Sequence, residues 1–288
     1  MATQDIRSRW VSIDGALTHY SETGSAGPNI LAIHGGGHGS SGHAGMGALM
    51  RELGSDFQVY APDSIGGYGL TDPNVPTPRG LLDRGPHALA FADAIGLEKF
   101  TVVGNSQGAF AAVKLALEHP DRVEGIVMIG SLTIAQSMGV DQAPTPPLKA
   151  LMAYDGSEQA MRAMLEGLVK KKEKITDELI AGRQESATRP GGMEAMDRFL
   201  AATGGLKKDP ILSMQMDLRT SLPVLTKHIP SIFIWGAEDP FSLPETGRAI
   251  EPLLPDVPFH WIEDAGHQVQ TDQPEEVARV IREFVLNG

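Results

Sequence analysis

From Asn29 onward the chain repeats one pattern, a short apolar run followed by a stretch of helical character. The runs are NILAIH (29–34), QVYAPD (58–63), KFTVVGN (99–105) and EGIVMI (124–129). Apolar runs this short, bounded by glycine, proline and aspartate, read as buried strands. Helical patterns between them call for crossover helices, so the expected fold is α/β with a mainly parallel sheet. Ahead of them, residues 9–22 alternate polar and apolar around Asp14-Gly15, as an antiparallel hairpin would. Gly80–Gly96 and Gln107–His119 read as helices, the second stopped by Pro120. From 133 to 222 the pattern lapses into amphipathic, methionine-containing helices flanked by proline-rich joints at 143–147 and Leu222-Pro223. It resumes with strand 231–235, a helix over 246–254, strand 258–262 and a closing helix over 274–286. The expected organisation is therefore a core of residues 1–132 and 223–288, interrupted by a helical cap, 133–222. Such a cap depends too much on its host to count as an independent domain.

Composition narrows the functional classes. With 24 Lys+Arg against 36 Asp+Glu among 288 residues the formal net charge is −12, which disfavours nucleic acid or anionic lipid as a partner. The basic run Lys170-Lys171-Lys172 is expected on the solvated face of a helix. Zero cysteines exclude a disulfide framework and a thiolate nucleophile. The opening MATQDIRSRW lacks the apolar stretch of a signal peptide, and Gly125–Val140 is too short and polar to span a bilayer. The expectation is a cytoplasmic protein that does not enter a membrane.

Chemistry concentrates at strand ends. Gly104-Asn105-Ser106-Gln107-Gly108 lies between an expected strand and an expected helix, the setting of a nucleophile elbow. A strained turn there would lift the Ser106 hydroxyl above the sheet, with small residues needed two positions either side. A glycine-rich turn with an incidental serine has the same letters, so context decides. His34-Gly35-Gly36-Gly37 follows a strand, where the N–H of Gly36 could join that of Gln107 in holding an oxyanion. A flexible loop is the other reading of those glycines. Trp235-Gly236-Ala237-Glu238-Asp239 and Ala265-Gly266-His267 each follow a later strand.

The order Ser106, Asp239, His267 is that of α/β-hydrolases, and differs from the chymotrypsin and subtilisin orders. His267 is the expected base and later acid, and Asp239 the carboxylate that orients it. Glu238 and Asp264 are rival carboxylates expected to face solvent. His19, His87, His119, His228 and His260 lack strand-end context and are expected at the surface or satisfied in the core. His34 is expected to brace the glycine loop, while His38 and His43 could line the pocket or face solvent. A serine at the nucleophile position argues against dehalogenase or epoxide-hydrolase chemistry. No spaced ligand cluster, phosphate loop or dinucleotide fingerprint is visible, so no metal and no cofactor is expected.

Together these segments resemble the meta-cleavage product hydrolases, a branch of the α/β-hydrolases that cuts carbon–carbon bonds in ring-fission products of aromatic degradation. The likeness runs through HGGGHGSSGHAGM (34–46), APDSIGGYGLTDP (61–73), VVGNSQGAFAAVKLALEHPDRV (102–123), ITDELIAGRQESATRPGGMEAM (175–196), IWGAEDPFSLP (234–244) and AGHQVQTDQPEEV (265–277). It implies that Arg189 grips the substrate carboxylate and that Asn105 lies near the substrate's acidic end. Gly35, Gly37 and Gln268 would border the substrate. It also implies ketonisation of a dienol acid, attack on the distal ketone by water or Ser106, and homo-oligomerisation. A surface or structural arginine is the other reading of Arg189.

The chain departs from the family pattern at Gln107 (commonly Met or Phe), which makes the pocket more polar, at Gln268 (usually Trp) and at Gly45 (usually Asn), which loses one polar contact; together they suggest an altered substrate. The expected activity is hydrolysis of a small organic acid of the vinylogous 1,5-diketone type. A carboxylesterase or lactonase on the same triad is the alternative, and a non-catalytic small-molecule receptor a more distant one.

Overall fold

The computed structural model describes residues 5–287. Strands β1 (Arg7–Ile13), β2 (Ala16–Thr23), β3 (Asn29–Ile33), β4 (Gln58–Pro62), β5 (Phe100–Asn105), β6 (Val123–Ile129), β7 (Ser231–Gly236) and β8 (Phe259–Ile262) form one sheet in the order β1-β2-β4-β3-β5-β6-β7-β8. β1 and β2 pair antiparallel, as do β2 and β4, and every other neighbouring pair is parallel. The hairpin expected at Asp14-Gly15 forms with Ile13 opposite Ala16. Positive φ at both turn residues, 50° and 86°, gives the turn whose twist matches the strands it joins.

Helices α1 (Gly42–Leu53), α2 (Arg84–Ala94) and α3 (Gln107–Glu118) follow β3, β4 and β5. Strand alternation then divides the core. Leu31, Ile33, Val102 and Met128 pack with α2 and α3 on one face, and Ile30, Ala32, Val103 and Val127 pack with α1 on the other. The helix expected over 80–96 begins with a 3₁₀ turn, Gly80–Asp83, before α2 starts.

Between β6 and β7 the chain is helical: α4 (Leu132–Ser137), α5 (Pro146–Met152), α6 (Glu158–Leu168), α7 (Asp177–Thr188), α8 (Gly192–Gly205), α9 (Pro210–Met216) and α10 (Ser221–Leu225). Met161, Met164, Leu165 and Ile180 of this segment gather with Phe241 in a separate apolar cluster. Its two ends do not stand apart. Ile134, Leu218 and Leu222 belong to the same cluster as the sheet residues.

The chain closes with α11 (Pro244–Ile250), α12 (Val269–Asp272) and α13 (Pro274–Leu286), the last packed beside α1 through Val277, Ala278 and Ile281. Pro252 ends the helix expected over 246–254 early, leaving a 3₁₀ turn after Ile250.

Lys170-Lys171-Lys172 is not a helix face. Lys170 and Lys171 lie in the connection after α6, where their backbone N–H groups donate to Asp272. Lys170 pairs with Glu238 and Asp264, and both carboxylates are about half exposed, as expected of them. Among the described residues no helix is long and apolar enough to cross a membrane.

Candidate active site

Ser106 ends β5 and starts α3 with φ 55° and ψ −118°, a conformation non-glycine residues rarely hold. Its N–H donates to Ile129 O (2.8 Å) and its carbonyl accepts from Ser131 Oγ (2.8 Å), so β6 fixes the turn on both sides. The small-residue requirement is physical. A Cβ on Gly104 would lie 2.3 Å from Gly108 O, and one on Gly108 would lie 2.1 Å from Ile33 O.

His267 and Asp239 come from the loops after β8 and β7. Nδ1 of His267 lies 2.9 Å from Oδ2 of Asp239, and both side chains are buried. The other carboxylate oxygen of Asp239 accepts the N–H groups of Phe241 and Ser242, at 2.8 Å each. With that carboxylate as acceptor, Nδ1 carries the proton and Nε2 is left free to accept one. The Phe241 ring stacks on the imidazole at 4.4 Å between centroids, fixing its plane.

Ser106, His267, Gly35, Gly36, Gly37, Asn105, Gln107 and Gln268 all line one cavity of about 640 Å³. The helical segment contributes Leu148, Leu151 and Leu168 to its lining, together with the charged Lys207, Asp217 and Arg219. Ser106 and His267 share the cavity without a direct hydrogen bond between them. The N–H groups of Gly36 and Gln107 have no acceptor among the described residues. A Cβ on Gly36 would lie 2.7 Å from the end of the Gln107 side chain, which would have to move aside.

Behind that loop sits a residue that sequence reading missed. Arg84, fully buried, donates to the His34 carbonyl (2.6 Å) and to Ser64 Oγ (2.9 Å), and lies over the Tyr68 ring. His34 accepts the Ser64 N–H at Nε2 (3.1 Å) and donates from Nδ1 to the Gly35 carbonyl (2.7 Å), so it braces the loop as expected. Burial, reinforced by the Arg84 charge, pushes its pKa down to about 3. Gln107 turns its side chain to this group too, accepting from Tyr68 Oη at 3.2 Å. Asn105 donates to the carbonyls of Ile129 (3.2 Å) and His267 (3.3 Å). Gln268 donates its N–H to Leu168 O (2.9 Å), tying the histidine loop to α6.

Arg189 is not where the resemblance put it. Its guanidinium donates to the carbonyls of Gly69 (2.7 Å) and Thr71 (2.5 Å), and it does not line the Ser106 cavity. Those carbonyls lie in the loop after β4, so through Nε and Nη2 the residue anchors α7 to the core.

The arginine with donors to spare is Arg183, one of the most deeply buried side chains in the protein. Only its Nη2 is bonded, to Ser40 Oγ (2.9 Å) and the His38 carbonyl (3.2 Å), while Nε and Nη1 have no partner. Desolvation drags its pKa down to about 10. Ser40 Oγ in turn donates to Gly36 O (2.7 Å), so Arg183 stands one hydrogen-bonded residue from the glycine loop. Its marker in the sequence was position: Ile180, Arg183 and Ala187 follow helical spacing on the buried face of α7.

His38 is buried against Tyr154 (4.5 Å between centroids) with Nδ1 unpartnered, and His43 is exposed on α1. Neither lines the Ser106 cavity. His87 is buried against Thr18 Oγ1 (3.1 Å), and His19 is held by Asp63 (2.7 Å). Among the described residues no three His, Asp or Glu side chains gather as a metal site would need.

A buried His–Asp pair, a serine raised on a strained turn, and two unengaged N–H groups around one cavity can together activate a hydroxyl and hold an oxyanion. Residues 30–280 match the model of the alpha/beta hydrolase family. A 2-hydroxy-6-oxo-2,4-heptadienoate hydrolase of Pseudomonas putida is 27% identical over 277 residues, covering 96% of this chain and 95% of the relative. A 2-hydroxymuconate semialdehyde hydrolase of a Pseudomonas species is 29% identical, covering 95% of this chain and 92% of its own. Among solved structures, a meta-cleavage product hydrolase from Pseudomonas fluorescens is 26% identical, covers 97% of both chains and superposes with a TM-score of 0.78.

Proposed function

The chain belongs to the alpha/beta hydrolase family, and we propose that within it the protein is a serine-type hydrolase that cleaves a carbon–carbon bond in a 2-hydroxy-6-oxo-2,4-dienoate-like acid. The observation that carries the serine chemistry is the strained Ser106 sharing a cavity with the buried His267–Asp239 pair. The substrate class is supported by what the relatives act on, over nearly the whole length of both chains.

In this reading the dienol is ketonised first, which turns the bond beside the distal ketone into one that can leave with its electrons. Ser106, or water in its place, adds to that ketone, and the proton it loses passes to Nε2 of His267. Asp239 stabilises the imidazolium, and the N–H groups of Gly36 and Gln107 receive the oxyanion. The bond then breaks, and His267 returns its proton to the departing carbon fragment. Hydrolysis of the remaining acyl group regenerates the serine.

An anionic substrate in a −12 protein needs local positive charge. The cations that line the Ser106 cavity are Lys207 and Arg219, and they take that role in place of Arg189; Arg183, like Arg189, does not line it. The helices between β6 and β7 act as a lid whose leucines form the apolar wall over the non-acidic end of the substrate.

Gln107 and Gln268 bring amides to the pocket wall and favour, as a second reading, an ester or lactone substrate on the same residues. One comparison separates the two. Initial rates are measured for a set of ring-fission dienoates, simple aryl esters and lactones at matched concentration. A kcat/KM at least about 100-fold higher for a dienoate is expected, and a preference for esters or lactones overturns the C–C assignment.

A further inference from the structure

Away from the Ser106 cavity, the hairpin and the residue after β4 bring together a hydrogen-bonded serine, histidine and aspartate. Ser8 Oγ lies 2.7 Å from Nε2 of His19, and Nδ1 of His19 lies 2.7 Å from Oδ2 of Asp63. Ser8 on β1 and His19 on β2 are diagonal neighbours on one face of the hairpin, since Trp10 is opposite His19 and Ser8 opposite Ser21. Asp63 follows β4, the strand that pairs with β2.

The construction parallels the His267–Asp239 pair. Each carboxylate is fully buried, accepts one histidine Nδ1, and is pinned by two backbone N–H groups: those of Gly42 (2.7 Å) and Leu70 (2.8 Å) for Asp63. Burial alone would push the Asp63 carboxyl up, but the hydrogen bonds it accepts from His19 and the Leu70 N–H hold it below the usual carboxylate range. With Asp63 ionised, Nδ1 of His19 carries the proton and Nε2 accepts the hydroxyl hydrogen of Ser8. All three residues line a cavity of about 730 Å³ between the hairpin, α1 and α7, and Ser8 itself is exposed. None of them lines the Ser106 cavity.

We propose that Ser8, His19 and Asp63 form a second nucleophilic site, at which Ser8 takes acyl groups from activated esters such as aryl esters. Ser8 Oγ bonds to the ester carbonyl carbon while its proton moves to Nε2 of His19. The carbon–oxygen bond to the aryl group breaks, and the phenol leaves with the proton from His19. Water repeats the sequence to release the acid and restore Ser8. The site has no glycine loop for the oxyanion. The exposed cations Arg51 and Lys174 on the cavity wall stand in its place. Exposed charges stabilise an oxyanion far less than enclosed N–H groups, so deacylation is slow and the acyl-serine accumulates.

The test uses Ser106→Ala, which removes the first nucleophile, so that failure here leaves the reading of the Ser106 site untouched. The variant is treated with a fluorophosphonate probe and mapped by peptide mass spectrometry. A single adduct on Ser8 is expected, absent from Ser106→Ala/Ser8→Ala and formed at least about 10-fold more slowly in Ser106→Ala/His19→Gln, whose folding is checked by circular dichroism. p-Nitrophenyl acetate should give a burst of about one equivalent in Ser106→Ala and none in the Ser8 double variant. An unlabelled Ser106→Ala protein, or labelling that survives removal of Ser8, overturns the proposal. So does an unchanged labelling rate in a folded His19→Gln protein.

Discussion

The side-chain amide of Asn105 donates to the main-chain carbonyl of His267 at 3.3 Å, joining the residue before the elbow to the histidine loop. The same nitrogen reaches Ile129 O at 3.2 Å, so one amide references the histidine to two central strands. Asn105→Ala removes both bonds and leaves two buried carbonyls short of a donor. The expected result is a kcat about 10- to 100-fold lower with a smaller change in KM, because the imidazole loses its placement while the cavity keeps its shape. An effect confined to KM would show that Asn105 serves binding alone.

The positive φ of Ser106 predicts a separation of stability from activity. A non-glycine residue in that region costs on the order of 1–3 kcal/mol. Ser106→Gly should therefore raise Tm, whereas Ser106→Ala should leave it nearly unchanged, and both should abolish turnover. Thermal unfolding of the two variants side by side makes the comparison, and equal Tm values would mean the turn is unstrained.

The two arginines of the α7 region should fail in opposite ways. Arg189→Ala frees the Gly69 and Thr71 carbonyls and should cost about 1–3 kcal/mol of stability, lowering Tm by several degrees with KM little changed. Arg183→Met removes a buried charge with two unpartnered donors, so Tm should hold or rise. Its KM for an acidic substrate should change little, because Arg183 lines the cavity beside α1 and α7 and not the Ser106 cavity. A destabilised Arg183→Met protein, or an Arg189→Ala protein that raises KM and spares Tm, would overturn these assignments.

Histidine burial sets an acid limit on stability. His34 and His87 are depressed to about 3 and about 4, in both cases by burial first and the Arg84 charge second. In the unfolded chain both titrate near 6.5, so between that pH and their folded values the unfolded state binds more protons. Stability therefore falls as pH drops below about 6.5, by on the order of 1 kcal/mol per pH unit for each histidine. Urea midpoints between pH 7 and 5, where most carboxylates stay ionised, should show this slope. His87→Gln should flatten it, and an unchanged slope would exclude that histidine.

Features encoded within a few residues were legible in the sequence. Asp14-Gly15 specified its turn because both positions need positive φ, and Gly104 and Gly108 marked the elbow because nothing larger fits beside Ile33 O. The positions of the strands along the chain and their mainly parallel pairing followed from the alternation of apolar runs with helical stretches. The arginines were harder. Six residues apart around α7, Arg183 and Arg189 differ only in which packs inward, and the buried face, Ile180, Arg183, Ser186 and Ala187, is too polar to declare itself. Arg84 hid inside an expected helix for the same reason. Ser8, His19 and Asp63 carry no spacing signal, because β-sheet pairing alone brings them together.

The helical segment between β6 and β7 has a last consequence. The strands it joins are direct parallel neighbours, with Val127 beside Ile232 and Ile129 beside Ile234, so the sheet closes whatever chain lies between them. Ser106, Asp239 and His267 all belong to the sheet's own loops, while much of the apolar cavity wall belongs to the inserted helices. Bond-breaking and molecular selection are thus written in separate stretches of the gene. Exchanging the leucines of that wall, Leu148, Leu151 and Leu168, should refit the protein to another substrate shape with its reactive residues untouched.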